Sequence, residues 1–196
     1  MKAKPPVHLL HTTLGIAVLA WLVTGCQVAT SVQPIGTTPV STTSLNLDGI
    51  WQAPDGQPFF VRTLDDAAGR LEVANVTTND QGFRLERHEV LVRKHQDTLF
   101  ANLRSLDPQP EDAFTFGRLT LMEHALILNL APAAPLRKLA LDGAFQATIT
   151  TNRDGSNDSY SVLVTGDFDR LASRLAAPDG WRWLETANPI VLTRPR

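Results

Sequence analysis

The feature that most constrains the fold of this chain is a series of closely spaced turn signals from residue 48 onward. These signals separate short runs that are rich in β-forming residues. Pro54-Asp55-Gly56, Asn79–Gly82, Asp154-Gly155 and Pro178-Asp179-Gly180 all have turn chemistry. The runs between such signals are rich in β-branched and aromatic residues and cover 58–64, 71–78, 83–94, 98–106, 113–121, 125–130, 145–151, 159–165 and 189–194. This pattern predicts a mainly β fold, a curved antiparallel sheet or barrel of about eight or nine hairpin-linked strands.

Two of these runs change the phase of their apolar residues. In residues 83–94 the apolar positions change from odd to even numbers, and in residues 113–121 they change from even to odd around Gly117. Because a slip of one residue moves side chains to the opposite face of a sheet, both changes predict β-bulges. Gly117 is the favoured position for one of them.

One helix stands out among the strands. Apolar residues three and seven positions apart in "FDRLASRL" (168–175) predict a helix over 167–176, which Pro178 ends. A shorter helix over 135–141 is a second possibility. The late helix either plugs an open end of a barrel or covers a sheet face.

The single cysteine follows an apolar run near the start of the chain. Lys2 and Lys4 precede a mostly apolar stretch, Leu9–Val23, which has the layout of a secretory signal peptide over residues 1–25. The stretch is shorter and more interrupted than a membrane-spanning helix of about 20 apolar residues, so a span is the poorer interpretation.

Val23-Thr24-Gly25-Cys26 resembles the lipobox of bacterial lipoproteins. The resemblance implies cleavage between Gly25 and Cys26 and attachment of a diacylglycerol to the sulfur of Cys26, usually with a further acyl chain on the new amino group. Gln27 at the following position implies the outer membrane. The alternatives are an ordinary signal peptide with an incidental cysteine, which would have no second cysteine to pair with, or a buried structural cysteine.

Residues 27–47 carry no charge and are rich in Thr, Ser, Pro and Gly. Such a composition predicts a flexible linker between Cys26 and one globular domain over residues 48–196, and an edge strand near Val40 is the alternative.

Loss of residues 1–25 leaves 16 basic and 20 acidic residues, a net charge of −4 without runs of one sign. No nucleic-acid partner is expected, because nucleic-acid binding needs a basic face or stripe.

Gly49-Ile50-Trp51 resembles the Gly-x-Trp motif that opens the first strand of lipocalins. The resemblance implies a barrel that holds a small apolar molecule, with Trp51 sealing its closed end. The length of the domain and a helix before the last strand agree with it, whereas the family's second motif, a Thr-Asp-Tyr type turn, has no match. The alternative for Trp51 is a core residue. The whole chain also resembles small uncharacterised bacterial lipoproteins with a lipobox, a Ser/Thr linker and a β domain.

Motifs for catalysis, metals and cofactors are not found. His88, His95 and His124 lack zinc-site spacing, and Glu86 with His88 is the best pair on one strand face. The acidic loop within 150–159 fails the EF-hand register and is a hairpin loop. There is no nucleophile elbow and no phosphate-binding glycine loop. A non-catalytic domain without a cofactor or a metal is therefore expected, and a hydrolase whose site forms only on folding is the remaining enzyme hypothesis.

Trp181 and Trp183 in "DGWRWLE" are predicted to share one strand face. They form either an aromatic binding surface or a core pair. The expected function is that of a lipoprotein anchored through Cys26 in the outer membrane and facing the periplasm. Its domain would bind an envelope protein or an amphiphilic small molecule. A carrier needs an apolar cavity, whereas a docking module needs an exposed apolar patch or a free sheet edge.

Overall fold

The computed structural model describes residues 28–79, 82–106, 113–154, 157–183 and 189–195 of the 196-residue chain. The predicted signal peptide over residues 1–25, its predicted cleavage position and the predicted lipidation residue Cys26 lie outside this part. The two helices are α1 (Ala133–Leu141) and α2 (Phe168–Ala176). The strands are β1 (Ala29–Ser31), β2 (Thr38–Pro39), β3 (Gly49–Gln52), β4 (Pro58–Asp65), β5 (Arg70–Asn79), β6 (Gly82–His95), β7 (Thr98–Ser105), β8 (Phe114–Leu121), β9 (Ala125–Leu130), β10 (Gln146–Asp154), β11 (Asn157–Gly166) and β12 (Ile190–Thr193).

Eight of the strands close into an antiparallel barrel, which confirms the predicted fold class. Strands β3 to β9 pair with their sequence neighbours in turn, and β12 pairs with both β9 and β3 to complete the ring. Both predicted helices are present: α2 begins one residue later than expected, and α1 covers the region of the second possibility.

Apolar side chains from all eight barrel strands form a core inside the barrel. The buried members of this barrel core are Leu47, Trp51, Ala53, Phe59, Val61, Leu71, Val90, Val92, Ala101, Leu119, Leu128, Leu130 and Leu192. Each strand alternates its side chains between the interior and the outside, so the core residues of a strand lie two positions apart, as Phe59 and Val61 do on β4.

A second core lies on the outside of strands β7 and β8. Phe100 and Phe116 point outward from those strands and are fully buried under a layer made by β1, β10, β11 and both helices. Strand β1 links this layer to the barrel, because it pairs antiparallel with β8 and parallel with β11. The parallel pair is an exception to the hairpin-linked pattern expected from the sequence.

The segment expected to be a flexible linker is folded, so the linker prediction is wrong over residues 28–47. Ala29 and Ile35 are fully buried in the second core, and β2 pairs with β6 close to the alternative edge strand at Val40. The backbone of Ile35 forms two hydrogen bonds with the buried side-chain amide of Asn102, at 2.6 and 3.0 Å. This uncharged segment, rich in Thr and Ser, thus packs on the barrel because barrel residues form hydrogen bonds with its backbone groups.

Asp66 holds the end of this segment. Its carboxylate accepts hydrogen bonds from the hydroxyls of Ser41 and Thr42 and from the backbone N–H of Thr43, at 2.7–3.2 Å. These hydrogen bonds, the Thr43 amide first among them, lower the pKa of Asp66 to about 2. The turn after β4 therefore binds residues 41–43 through an ionised carboxylate.

The predicted bulges are not seen where the apolar phase changes. The β5–β6 and β7–β8 pairings keep one register throughout, including the position of Gly117. A Cβ on Gly117 would collide with the backbone oxygen of Asn129, so glycine is needed where β9 approaches β8 closely. The phase changes have another cause: one part of each strand directs its apolar side chains inward, and the other part directs them outward.

The strand predicted for Trp181 and Trp183 is also wrong. Residues Gly180–Trp183 form a one-turn 3₁₀ helix directly after α2. The N–H of Gly180 bonds the backbone oxygen of Ala177 at 2.7 Å, and a Cβ at Gly180 would collide with backbone oxygens of α2. The chain therefore turns tightly against the end of the helix, and the two tryptophans do not share a strand face.

Candidate functional site

Five exposed apolar side chains lie together on the outside of the barrel. We call this set the apolar stripe: Ile50 on β3, Phe60 on β4, Val76 on β5, and Phe83 and Leu85 on β6. Phe83 is 85% exposed and the other four are 41–54% exposed. Isolated apolar residues are normal on protein surfaces, but a contiguous group marks an interaction surface.

The strand register shows that the stripe is contiguous. Ile50 lies opposite Phe60, and Val76 lies opposite Leu85. Ala74, which pairs with Phe60 and precedes Val76 by two positions, connects these two pairs on the same face of the sheet. Phe83 extends the stripe along β6 beyond Leu85.

A row of charged side chains borders the stripe on the same outer face. Arg62, Glu72, Glu89 and Arg104 lie directly opposite one another on four successive strands. Glu72 and Glu89 are buried although they point away from the barrel interior, because arginine side chains cover them. Glu89 pairs with Arg104 at 2.5 Å and with Arg70 at 3.7 Å.

Glu72 has two arginine partners, Arg87 and Arg62, each at 2.5 Å. The hydrogen bond from Arg87, followed by that from Arg62, lowers the pKa of the Glu72 carboxyl against the opposing effect of burial. We call Arg62, Arg70, Arg87 and Arg104 with Glu72 and Glu89 the arginine row. With four cations and two anions it carries a net charge of +2, and its arginine side chains are 39–71% exposed.

A short polar group lies on the inward faces of β5 and β6. Asn75 is completely buried, and both polar atoms of its side chain lack a hydrogen-bond partner. The hydroxyl of Thr77 donates to Glu86 at 3.2 Å, and His88 follows Glu86 on the same inward face. The predicted Glu86–His88 pair thus shares a face as expected, although no third metal-ligating residue joins it within the described residues.

Trp51 is a core residue, which was the alternative interpretation of this tryptophan. It is 3% exposed, and its indole N–H donates to the backbone oxygen of Leu47 at 2.8 Å. The guanidinium of Arg194 lies 4.8 Å from the centre of its ring. Trp51 therefore belongs to the barrel core and is not accessible to a partner on the outer surface.

Four further aromatic residues that could line a carrier cavity, Phe60, Phe114, Phe116 and Tyr160, are dispersed over the fold. Phe116 lies in the second core, Tyr160 packs against that core, and Phe60 is exposed on the stripe. Phe114 lies under the guanidinium of Arg104, 5.0 Å from its ring centre. These residues do not converge on a common void.

An open groove of about 710 Å³ lies between residues 33–37 and the start of α2. Its charged lining consists of Arg93, Asp167, Asp169 and Arg170, two cations and two anions. A charged lining of this kind differs from the apolar lining of the cavity that a carrier needs. Because its charges balance, the groove favours neither anionic nor cationic ligands.

One serine–histidine pair occurs at the surface near this groove. Ser173 and His95 Nε2 are 2.9 Å apart, and the Ser173 hydroxyl donates to the backbone oxygen of Asp169. The partner of His95 Nδ1 in the described chain is the hydroxyl of Thr37, at 3.5 Å, where a catalytic triad has a carboxylate. His124 lies elsewhere, beside Glu123 on an exposed turn. The pair therefore lacks the group that orients a catalytic base.

Sequence reasoning missed the apolar stripe, although the sequence carried a signal for it. The odd-numbered apolar residues at the start of β6 lie on the outer face, and the even-numbered ones farther along lie in the barrel core. A phase change without a bulge therefore indicates a strand with apolar residues on both faces.

The fold and these surfaces define a closed, eight-stranded antiparallel β-barrel protein with an apolar core inside the barrel. No family model, no curated protein and no solved structure matches the chain. In the described part of the chain, neither helix is long and apolar enough to cross a membrane.

Proposed function

We propose that this protein is a bacterial lipoprotein, anchored through Cys26 in the outer membrane and facing the periplasm, whose barrel is a non-catalytic docking module. The lipobox-like Val23–Cys26 segment after an apolar run supports the anchor. The observation that carries the docking role is the apolar stripe beside the arginine row, on the outside of a barrel that holds its own apolar core.

The partner binds through both parts of this surface. An apolar segment of an envelope protein covers Phe60, Phe83 and Leu85, and acidic groups beside that segment meet the exposed guanidinium of Arg62. Interfaces of this kind combine an apolar centre with a polar rim, and arginine and aromatic residues dominate their energetics. An amphiphile with an anionic head is the second class of ligand that this chemistry suits.

The two other hypotheses have less support. A lipocalin-like carrier would hold its ligand in the barrel, where packed side chains from all eight strands now lie. A hydrolase would need an acid for the His95–Ser173 pair, and the recorded partner of His95 Nδ1 is a threonine hydroxyl. Neither hypothesis makes use of the exposed stripe.

Site-specific photocrosslinking in living cells tests the docking role. A photoreactive residue replaces Leu85 in the stripe, and the matched control replaces Met122, which is slightly more exposed and lies on the β8–β9 turn. We expect one discrete adduct at Leu85 and none at Met122. The adduct should decrease at least several-fold in an Arg62→Gln variant, because the acidic groups of the partner then lose a cation.

Adducts of equal yield at both positions would contradict the docking role, since they would reflect random collision. An adduct at Leu85 that is indifferent to Arg62→Gln would contradict the part assigned to the arginine row. Native mass spectrometry of the same protein separates the two ligand classes, because an amphiphile co-purifies as a lipid-sized mass.

A further inference from the structure

The distance between the proposed anchor and the fold is short. Val28, only two residues after Cys26, already forms an antiparallel bridge with Pro132. Two Cα–Cα steps span at most about 7 Å. If residues 27–47 were a free linker the barrel could rotate above the membrane, but residues 28–47 are bound to the barrel. The lipid chains must therefore enter the bilayer next to the residues around Val28.

Helix α1 begins at this point. Pro132, the bridge partner of Val28, is the N-cap of the helix, and a nine-residue helix is about 14 Å long. Ala133, Leu136 and Leu139 bury one face of α1 against the second core. The opposite face of α1 thus lies within one helix length of the anchor.

That outer face has the composition of a membrane-surface helix. Its exposed residues are Ala134, Arg137, Lys138 and Leu141, at spacings of three, four and seven residues. Leu141 is 64% exposed, and the first turn carries no acidic residue. Within the described residues, Arg137 and Lys138 form no ion pair with an acid. Asp142 follows the helix at the end farther from Pro132.

A tyrosine fixes one of the two cations. The guanidinium of Arg137 lies 5.1 Å from the ring centre of Tyr160, which packs on the second core. Arginine and lysine near a membrane surface are attracted to anionic lipid phosphates, and tyrosine is frequent at membrane interfaces. An exposed leucine on the same face can enter the boundary between headgroups and acyl chains.

We propose that the outer face of α1 is a second membrane contact, in which Arg137 and Lys138 bind anionic lipid phosphates and Leu141 enters the interface. This inference rests on the proposed anchoring through Cys26. The lipid anchor supplies the affinity, and α1 sets the orientation of the barrel. In the ring of eight strands, β4 lies four positions from β8, the barrel strand with which β1 pairs. The centre of the apolar stripe therefore faces away from the bilayer and is accessible to a partner.

Fluorescence of the lipidated full protein in vesicles tests this contact. Leu141→Cys carries the only free thiol when Cys26 is lipidated, and it accepts an environment-sensitive dye. In vesicles of phosphatidylethanolamine and phosphatidylglycerol we expect a blue shift of the dye and quenching by spin-labelled lipids. A dye at Phe83→Cys on the apolar stripe is the matched control and should keep its emission in water.

Charge removal gives an independent readout on the unlipidated Cys26→Ser protein. Each cation contributes roughly a five-fold increase in binding to anionic vesicles at low salt, so Arg137→Gln with Lys138→Gln should weaken binding roughly 30-fold. Arg170→Gln, an exposed arginine on α2, is the control and should have little effect.

Three results would overturn the contact. The first is a dye at Leu141 that stays in water while mass spectrometry shows a lipidated Cys26. This result would refute the membrane contact of α1 and would leave the anchoring proposal standing. The second is shielding of Leu141 in cells but not in vesicles, which would mean that a protein covers α1. The third is an unmodified Cys26 in membrane-isolated protein, which would refute the anchoring proposal and this inference together.

Discussion

Replacing Asn102 by alanine should lower the free energy of unfolding by about 2–6 kcal/mol, because two buried backbone groups would lose their partner. Asn102 is completely buried, and its amide accepts from the N–H of Ile35 at 2.6 Å. It also donates to the backbone oxygens of Ile35 and Leu91, at 3.0 and 3.1 Å. Each buried group left without a partner costs about 1–3 kcal/mol, and the Ile35 N–H and C=O are the two most affected.

Asn75 is a matched control for this experiment. It is as buried as Asn102, but its side-chain amide has no hydrogen-bond partner. Asn75→Leu should therefore leave the free energy of unfolding unchanged or raise it, because an unsatisfied amide leaves the barrel interior. Both variants are made in a soluble Cys26→Ser chain and compared by urea unfolding.

A loss of about 3 kcal/mol corresponds to a midpoint shift of roughly 1–2 M urea at the m-values of a domain of this size. If Asn102→Ala changed the free energy of unfolding by less than 0.5 kcal/mol, about the error of such a comparison, the N-terminal segment would not be bound to the barrel. Equal losses for Asn102→Ala and Asn75→Leu would show that side-chain volume, rather than hydrogen bonding, determines both results.

Two further substitutions test individual contacts of the fold. Asp66 has a folded-state pKa of about 2, below its usual value, so its contribution to stability is complete above pH 4 and is lost as the pH falls towards 2. Thermal unfolding at pH 5, 3 and 2 should show a difference between the wild type and Asp66→Asn that shrinks over this range; a constant difference would contradict the role of the carboxylate. Gly117→Ala should cost about 1–3 kcal/mol by calorimetry, because its Cβ would collide with the oxygen of Asn129 across the β8–β9 pair. A neutral Gly117→Ala would argue against closure of the barrel there.

The regular part of the fold could be predicted from local pattern. Turn residues at short intervals and β-branched runs indicated hairpins, and the spacing of Phe168, Leu171 and Leu175 indicated α2. These signals are local because hairpins and amphipathic helices are formed by residues close in sequence. Closure of the barrel was one of two options, since strand pattern alone does not distinguish an open sheet from a ring.

The parts that the sequence did not predict depend on distant residues. Residues 28–47 look like a linker because their own side chains are small and polar, yet Asn102 and Asp66 supply their hydrogen bonds. The 3₁₀ turn at Gly180–Trp183 depends on contact with the end of α2, which overrides the strand tendency of its tryptophans. Tertiary contacts decide both cases.

The apolar stripe was not predicted because each change of apolar phase was attributed to a β-bulge. A change of apolar phase has two possible causes, a bulge or a strand with apolar residues on both faces, and the continuous β5–β6 register identifies the second. The same reasoning explains β8, where Phe116 faces the second core and Leu119 faces the barrel core. Such strands occur where a barrel packs against another layer or presents a binding surface.

The mass of the N-terminal peptide of the mature protein, isolated from bacterial membranes, tests the anchoring proposal most directly. We expect this peptide to begin at Cys26 and to carry the added mass of a diacylglycerol. We also expect that the membrane fraction contains no processed Cys26→Ser protein. A peptide that begins elsewhere, or a Cys26 with a free thiol in membrane-bound protein, would contradict anchoring through Cys26.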